Sequence, residues 1–215
     1  MTNDGRRLAA TAALIAALAL MATSARADDE VASPEGHKGQ LGLSLQAGLG
    51  LRAIATYDSK YYCGTADMAS QYGNASVCTG RAPFAFDLGL EFGITRRVEL
   101  LTELRLGLER DFGPATNTTN GPRTIQVSPG ARLFFSETSR SKLFVQGQLV
   151  IDFTGYNDPL GNSRGKDFGV RGAEGIWLDL HRAYGVYLYA SETAEFSRWL
   201  LAQLELGIGF QARYP

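Results

Sequence analysis

The chain has 215 residues, 45% hydrophobic and 20% charged, with 25 glycines and a formal net charge of −1. A balance this even leaves no electrostatic footprint for a nucleic-acid backbone. The apolar and aromatic content excludes a disordered chain, and glycine without a three-residue period excludes a collagen.

Residues 1–27 read as a secretory signal peptide: Arg6 and Arg7, an uncharged run from Leu8 to Met21, then Ala25-Arg26-Ala27 before Asp28. The apolar run is too short to span a membrane as a helix. Sec-type export with cleavage near Ala27 is expected. Residues 28–39, with Asp28, Asp29, Glu30, Pro34 and Gly36, read as a flexible, acidic periplasmic tail. Export also bears on the two cysteines. Cys63 and Cys78 have no neighbouring set of metal ligands, and an oxidising compartment favours a disulfide between them. No metal and no cofactor are expected.

From residue 40 onwards the chain alternates with period two, the signature of two-faced strands. In the first strand Leu41, Leu43, Leu45, Ala47, Leu49 and Leu51 share one face, with Gly42, Ser44, Gln46, Gly48, Gly50 and Arg52 on the other. Loop 58–82 follows, where Tyr57, Tyr61, Tyr62 and Tyr72 surround the cysteine pair. Rigid aromatic surface on a stapled loop suits recognition, because little entropy is lost on contact.

The second strand carries Phe84, Phe86, Leu88, Leu90, Phe92 and Ile94 against Asp87 and Glu91; the third, Val98, Leu100, Leu104, Leu106 and Leu108 against Glu99, Glu103, Arg105 and Glu109. The fourth, about 124–135, has Ile125, Val127, Ala131, Leu133 and Phe135 on one face and Arg132 on the other. It also holds Pro129, which cannot donate to a ladder and predicts a bulge. The fifth, 142–154, sets Leu143, Val145, Leu149, Ile151 and Phe153 against Gln146, Gln148 and Asp152. In the sixth, 168–178, Phe168, Val170, Ile176 and Leu178 oppose Arg171 and Trp177, and Glu174 breaks the phase. The seventh, 184–192, opposes Tyr184, Val186, Leu188 and Ala190 to Tyr187 and Tyr189. The eighth, 199–214, opposes Leu200, Leu204, Leu206, Ile208, Phe210 and Tyr214 to Gln203, Glu205 and Gln211.

Eight strands with short turns near 95–97, 137–141 and 179–183, and longer connections at 58–82, 113–123 and 155–167, describe an all-β, antiparallel up-and-down barrel over 40–215. Two solvents are compatible with period two. A soluble exported barrel of the lipocalin kind, carrying a ligand, would turn the apolar face inwards; a transmembrane β-barrel turns it out. Strand length favours the second, since ~9–11 tilted residues cross hydrocarbon. So do the aromatics at strand ends, Phe84, Phe86, Phe153 and Phe168 at one and Phe135, Tyr184, Phe210 and Tyr214 at the other. The polar face then lines a lumen holding Arg52, Asp87, Glu91, Glu99, Glu103, Arg105, Glu109, Arg132, Asp152, Arg171, Asp179 and Glu205. Eight strands enclose only enough room for side chains, so these charges should pair as a plug. A three-residue turn at 95–97 sets Asp87 opposite Arg105.

The eight-strand pattern resembles the small outer-membrane barrels of the OmpA transmembrane-domain and OmpX kind. The resemblance rests most on the last strand, where Leu204, Leu206, Ile208, Phe210, Ala212 and Tyr214 alternate into a terminal aromatic. It implies that Leu206, Ile208, Phe210 and Tyr214 form the signal read by the outer-membrane assembly machinery; Pro215, after the aromatic, departs from the pattern. The expectation is a monomer in the Gram-negative cell outer membrane, with lipid, the assembly machinery and a surface ligand or envelope protein as partners. Its role would be structural or at the cell surface. A narrow pore and a lipid-modifying enzyme are the lesser alternatives. The only histidines beyond the leader, His37 in the tail and His181 at a turn, offer no base beside a nucleophile.

Overall fold

The structure, a computed structural model, describes residues 36–55, 57, 77–110, 123–157, 163–164, 166–197 and 199–214. Its strands are β1 (Leu41–Ala55), β2 (Val77–Arg81), β3 (Ala85–Gly93), β4 (Val98–Arg110), β5 (Arg123–Phe134), β6 (Ser141–Asp152), β7 (Tyr156–Asn157), β8 (Ser163–Arg164), β9 (Asp167–His181), β10 (Tyr184–Glu195) and β11 (Leu200–Tyr214). Each long strand pairs antiparallel with the next, and β11 returns to β1 over its full length, from Leu41↔Tyr214 to Ala55↔Leu200. That last ladder closes the sheet into a barrel. Short β7 and β8 pair only with each other.

The wall has eight strands because β2 and β3 are two pieces of one. Against β1, the pairing runs from Leu41↔Phe92 to Gly48↔Ala85, then resumes as Leu51↔Arg81 to Ala55↔Val77. Three residues, Ala82-Pro83-Phe84, face two on β1, so the wall carries one extra residue and reverses phase there. Proline fits at such a bulge because no ladder bond is asked of it. Residues 77–81, expected in loop 58–82, therefore belong to the wall.

Two other expectations about exceptions change. Pro129 sits in an unbroken register rather than a bulge: it pairs with Thr102 on β4, and towards β6 the register is the same at Val127↔Ile151 and Gly130↔Gln148. The Gln148 amide donates to the Ser128 carbonyl at 3.1 Å, supplying a hydrogen bond where the ladder is interrupted. Glu174 does not break the phase of β9. It lies on the outer face, with Val145 and Ala190 as register partners. Glu192 follows on the same face, opposite Gly172 and Leu204.

The alternation resolves with apolar side chains outside. Leu206 is 71% exposed and Leu204 60%, whereas Arg132 and Gln211 are fully buried. Among the described residues, 25 polar or charged side chains are buried against 12 hydrophobic ones, the inverse of a water-soluble core. A lipocalin-like carrier needs the opposite orientation. Glycines on the inner face make room for large rings: a Cβ on Gly209 or Gly207 would collide with Tyr187 or Tyr189.

Candidate functional site: the filled lumen

The lumen is built from the inward positions of every wall strand, and its contents change along the axis. Midway, two guanidinium groups are shared among three carboxylates. The β3–β4 register sets Asp87 opposite Arg105, and Arg105 Nε and Nη2 donate to the two Asp87 oxygens at 2.7 and 3.0 Å. Arg105 Nη2 also reaches Glu205 at 2.7 Å. Arg171 Nη1 donates to Asp87 at 3.1 Å and Glu103 at 3.2 Å. All five groups are buried. A bidentate pair fixes both planes, so the network holds one geometry.

Towards the turn end the filling becomes aromatic. Phe134, Phe144, Trp177, Tyr187 and Tyr189 form one buried cluster around Arg132. The Arg132 guanidinium lies 5.2, 5.5 and 5.0 Å from the Phe144, Trp177 and Tyr187 rings, while its Nε donates to Gln146 at 2.8 Å and Nη1 to Glu99 at 3.3 Å. Cation–π attraction strengthens where water is excluded. Glu91, beside this layer, accepts the Ser44 hydroxyl.

Residues before β1 enter the turn-end mouth. Gly36 and Gly39, at φ +62° and +76°, bend the chain back so that His37 enters the lumen fully buried. These four residues are thus a docked turn, where a flexible tail was expected through residue 39. The imidazole stacks on Phe134 at 4.2 Å between centroids and meets the edge of Trp177 at 5.5 Å. Its Nδ1 lies 2.5 Å from Glu99 and its Nε2 3.0 Å from the Lys142 ammonium. Lys142 and Arg213 both grip Asp179, at 2.8 and 2.6 Å. Burial holds the His37 imidazole below its usual proton affinity, against the pull of Glu99.

At the loop end, a polar pocket is lined by Arg52, Gln126, Asp152, Glu195, Trp199 and Gln203, among others. Gln126 donates to Glu195 at 2.7 Å, and Asp152 accepts the Thr154 amide at 2.7 Å. Glu109 stands apart from the lumen set in which it was expected. It is 43% exposed at the side chain and binds Arg81 at 2.6 Å and the Phe84 amide at 2.9 Å, at the rim beside Pro83. The ladder between β4 and β5 shifts just there, between Leu106 and Arg110.

Of the other sequence-derived sites, Leu206, Ile208, Phe210 and Tyr214 all project outwards from β11. Tyr61, Tyr62, Cys63 and Tyr72 lie outside the described residues; Cys78 is on β2, with Ile54 as register partner. Sequence reasoning left Lys142 and Arg213 out of the lumen set, although the phase of β6 and β11 places both inwards. His37 had no such signal, because no strand period governs residues before β1. Among the described residues no three His, Cys, Asp or Glu side chains are grouped to hold a metal.

No protein-family pattern matches the chain, and no curated protein matches its sequence. Solved structures do. The fold is similar to Neisserial surface protein A (NspA), at a TM-score of 0.52 and 10% identity, over 80% of this chain and 97% of that one. It is also similar to the N-terminal barrel domain of Pseudomonas aeruginosa OprF (TM-score 0.48, 12% identity, 81% and 99% covered) and to Ail, the attachment invasion locus protein of Yersinia pestis (0.47, 10%, 81% and 99%). The likeness to NspA shows the fold: a closed, eight-stranded antiparallel barrel of the outer-membrane kind.

Proposed function

We propose that this barrel resides in the Gram-negative cell outer membrane, has a lumen closed by its own side chains, and serves a structural or cell-surface role through its loop end. The observation that carries this reading is the inversion of burial: a belt of exposed Leu, Ile, Val and Phe around an interior of paired charges. Water disfavours such a belt and hydrocarbon does not, and hydrocarbon tolerates a sheet only when no edge is left open.

Export through the 1–27 leader would deliver the chain to the assembly machinery, with the outward residues of β11 as the recognised strand. In the loop 58–82, a disulfide from Cys63 to Cys78 would tie the recognition tyrosines Tyr61, Tyr62 and Tyr72 to a wall strand, since Cys78 lies within β2. A non-enzymatic role is supported by how both histidines are engaged. His37 is enclosed by Glu99 and Lys142, and His181 Nδ1 accepts the Ala183 amide at 3.1 Å while the ring stacks on Tyr184.

Cell fractionation with heat-modifiable gel migration tests the placement. Recovery in the outer membrane, with faster migration before boiling, is expected; recovery as a soluble periplasmic protein would overturn it. Deleting 60–75 together with Cys78→Ser, which spares β2, should leave the heat-modifiable barrel and abolish surface binding. Binding that survives the deletion would remove the loop from the proposal.

A further inference from the structure

The lumen is entered at its turn end by a segment that is not part of the wall. Two backbone hydrogen bonds hold it: Gly39 N–H donates to Gly93 O at 2.8 Å and Gln40 N–H to His37 O at 3.2 Å, next to the bond from Gly93 N–H to Gln40 O at 3.0 Å. Gly93 leaves space for this contact, because a Cβ there would strike the His37 carbonyl. The fit is specific to this segment in this place.

The imidazole tautomer follows from its neighbours. An ammonium has no lone pair, so Lys142 can only donate and His37 Nε2 must accept. The ring proton is therefore on Nδ1 and is donated to Glu99. A second proton has one place to go, Nε2, which lies 3.0 Å from the Lys142 nitrogen. There it would exchange a hydrogen bond for a contact between like charges, with Arg213 Nη1 already 3.5 Å from Nδ1.

The groups facing the ring from each packed element are few. β4 supplies Glu99, β6 Lys142 and β11 Arg213; β3, β5 and β9 meet the segment with Gly93, Phe134 and Trp177, which do not titrate. Gly36 rests against the Arg96 backbone, and the Arg96 side chain points to Glu137, 3.7 Å away. Glu99 is shared with Arg132, and the single Asp179 carboxylate is shared between Lys142 and Arg213, which leaves that group with an excess positive charge. One added charge on the ring thus meets two fixed cations and a carboxylate already engaged elsewhere.

We propose that Gly36–Gly39 is an acid-released latch on the turn-end mouth of the lumen, held shut by the neutral imidazole of His37. Protonation of Nε2 breaks the Lys142 contact, and the two left-handed glycines let the segment swing out. Burial of the ring keeps the latch closed through neutral pH and places its release on the acid side of ordinary histidine. The latch rests on the closed lumen proposed above, but the two can fail separately.

The test is amide hydrogen exchange in bilayer nanodiscs at about pH 7.5 and about pH 5, corrected for intrinsic rates. Protection of the Gly39 and Gln40 amides, bonded to Gly93 O and His37 O, should fall at least about tenfold at the lower pH while β4 and β11 amides stay protected. In His37→Gln the protection should be the same at both pH values. In Lys142→Met, which removes the charge that opposes the second ring proton, the fall should shrink. Unchanged protection in the parent chain, an equal fall in His37→Gln, or simultaneous loss across the wall strands would overturn the latch. Single-channel conductance at about pH 7.5 reads the closed lumen instead: steady current there, with the Gly39 result intact, would refute the plug and leave the latch standing.

Discussion

The inner and outer faces of the same strands treat charge in opposite ways. On the inner face, Arg105 and Arg171 distribute their hydrogen bonds over Asp87, Glu103 and Glu205. On the outer face Glu174 and Glu192 are neighbours across β9 and β10, and neither has an ionic partner among the described residues. Glu174 stands at the middle of β9 (Asp167–His181), midway between the two ends of the wall strand. A carboxylate is therefore a structural element on one side of a strand and a cost on the other. Burial in this barrel is decided by which solvent the alternate face meets, not by residue type.

The largest effect should come from breaking the inner network. Arg105→Met leaves Asp87 and Glu205 short of a cation and should cost about 3–5 kcal/mol in urea unfolding from lipid vesicles. Adding Asp87→Leu should return part of that loss, since removing both partners spares an unpaired charge. A loss under about 1 kcal/mol would mean that water, not Arg105, satisfies these carboxylates.

The outer face should respond with the opposite sign. Glu174→Leu is expected to stabilise the barrel in vesicles by up to about 2 kcal/mol, because an apolar side chain replaces an acid against lipid. Destabilisation would mean that the outer wall at this depth is covered by something other than hydrocarbon.

The smallest effect concerns the mouth, which belongs to neither face. His37 has a lowered proton affinity in the folded chain, so the unfolded chain binds the proton more readily. Its contribution is complete above the unfolded value near 6.5 and declines as pH falls from there towards the depressed folded value. Between about pH 8 and about pH 5 the parent should lose more stability than His37→Gln. Parallel stability curves for the two would sharpen the comparison differently, by showing a ring protonated without cost.

How much of this was legible in the sequence depended on phase. Alternation located all eight wall segments, and the parity of the 95–97 turn was enough to set Asp87 opposite Arg105. Lys142 and Arg213 obeyed the same parity and could have been placed by it. The exceptions were harder, because residue type was weighed above phase. Glu174 looked like a fault in β9 and is simply an outward position; Pro129 looked like a bulge and keeps its register. The actual bulge, at Pro83, reverses the parity of 77–81, so that short strand merged with the loop before it. Glu109 keeps the inward parity of β4 but lies near its end, where it turns to Arg81 and the Phe84 amide, and parity alone does not show that. His37 was invisible to periodicity altogether, since its place depends on two glycines and a distant pocket.

The central claim is that the leucine face of this barrel meets lipid. Nitroxide labels placed one at a time along 203–210, in a chain with Cys63→Ser and Cys78→Ser and reconstituted in bilayers, test it most directly by their collisions with oxygen and with a polar nickel complex. Oxygen access should peak at 204, 206, 208 and 210, with neither reagent favoured at 203, 205, 207 and 209. Nickel access at the even positions, or a peak at the odd ones, would contradict the account.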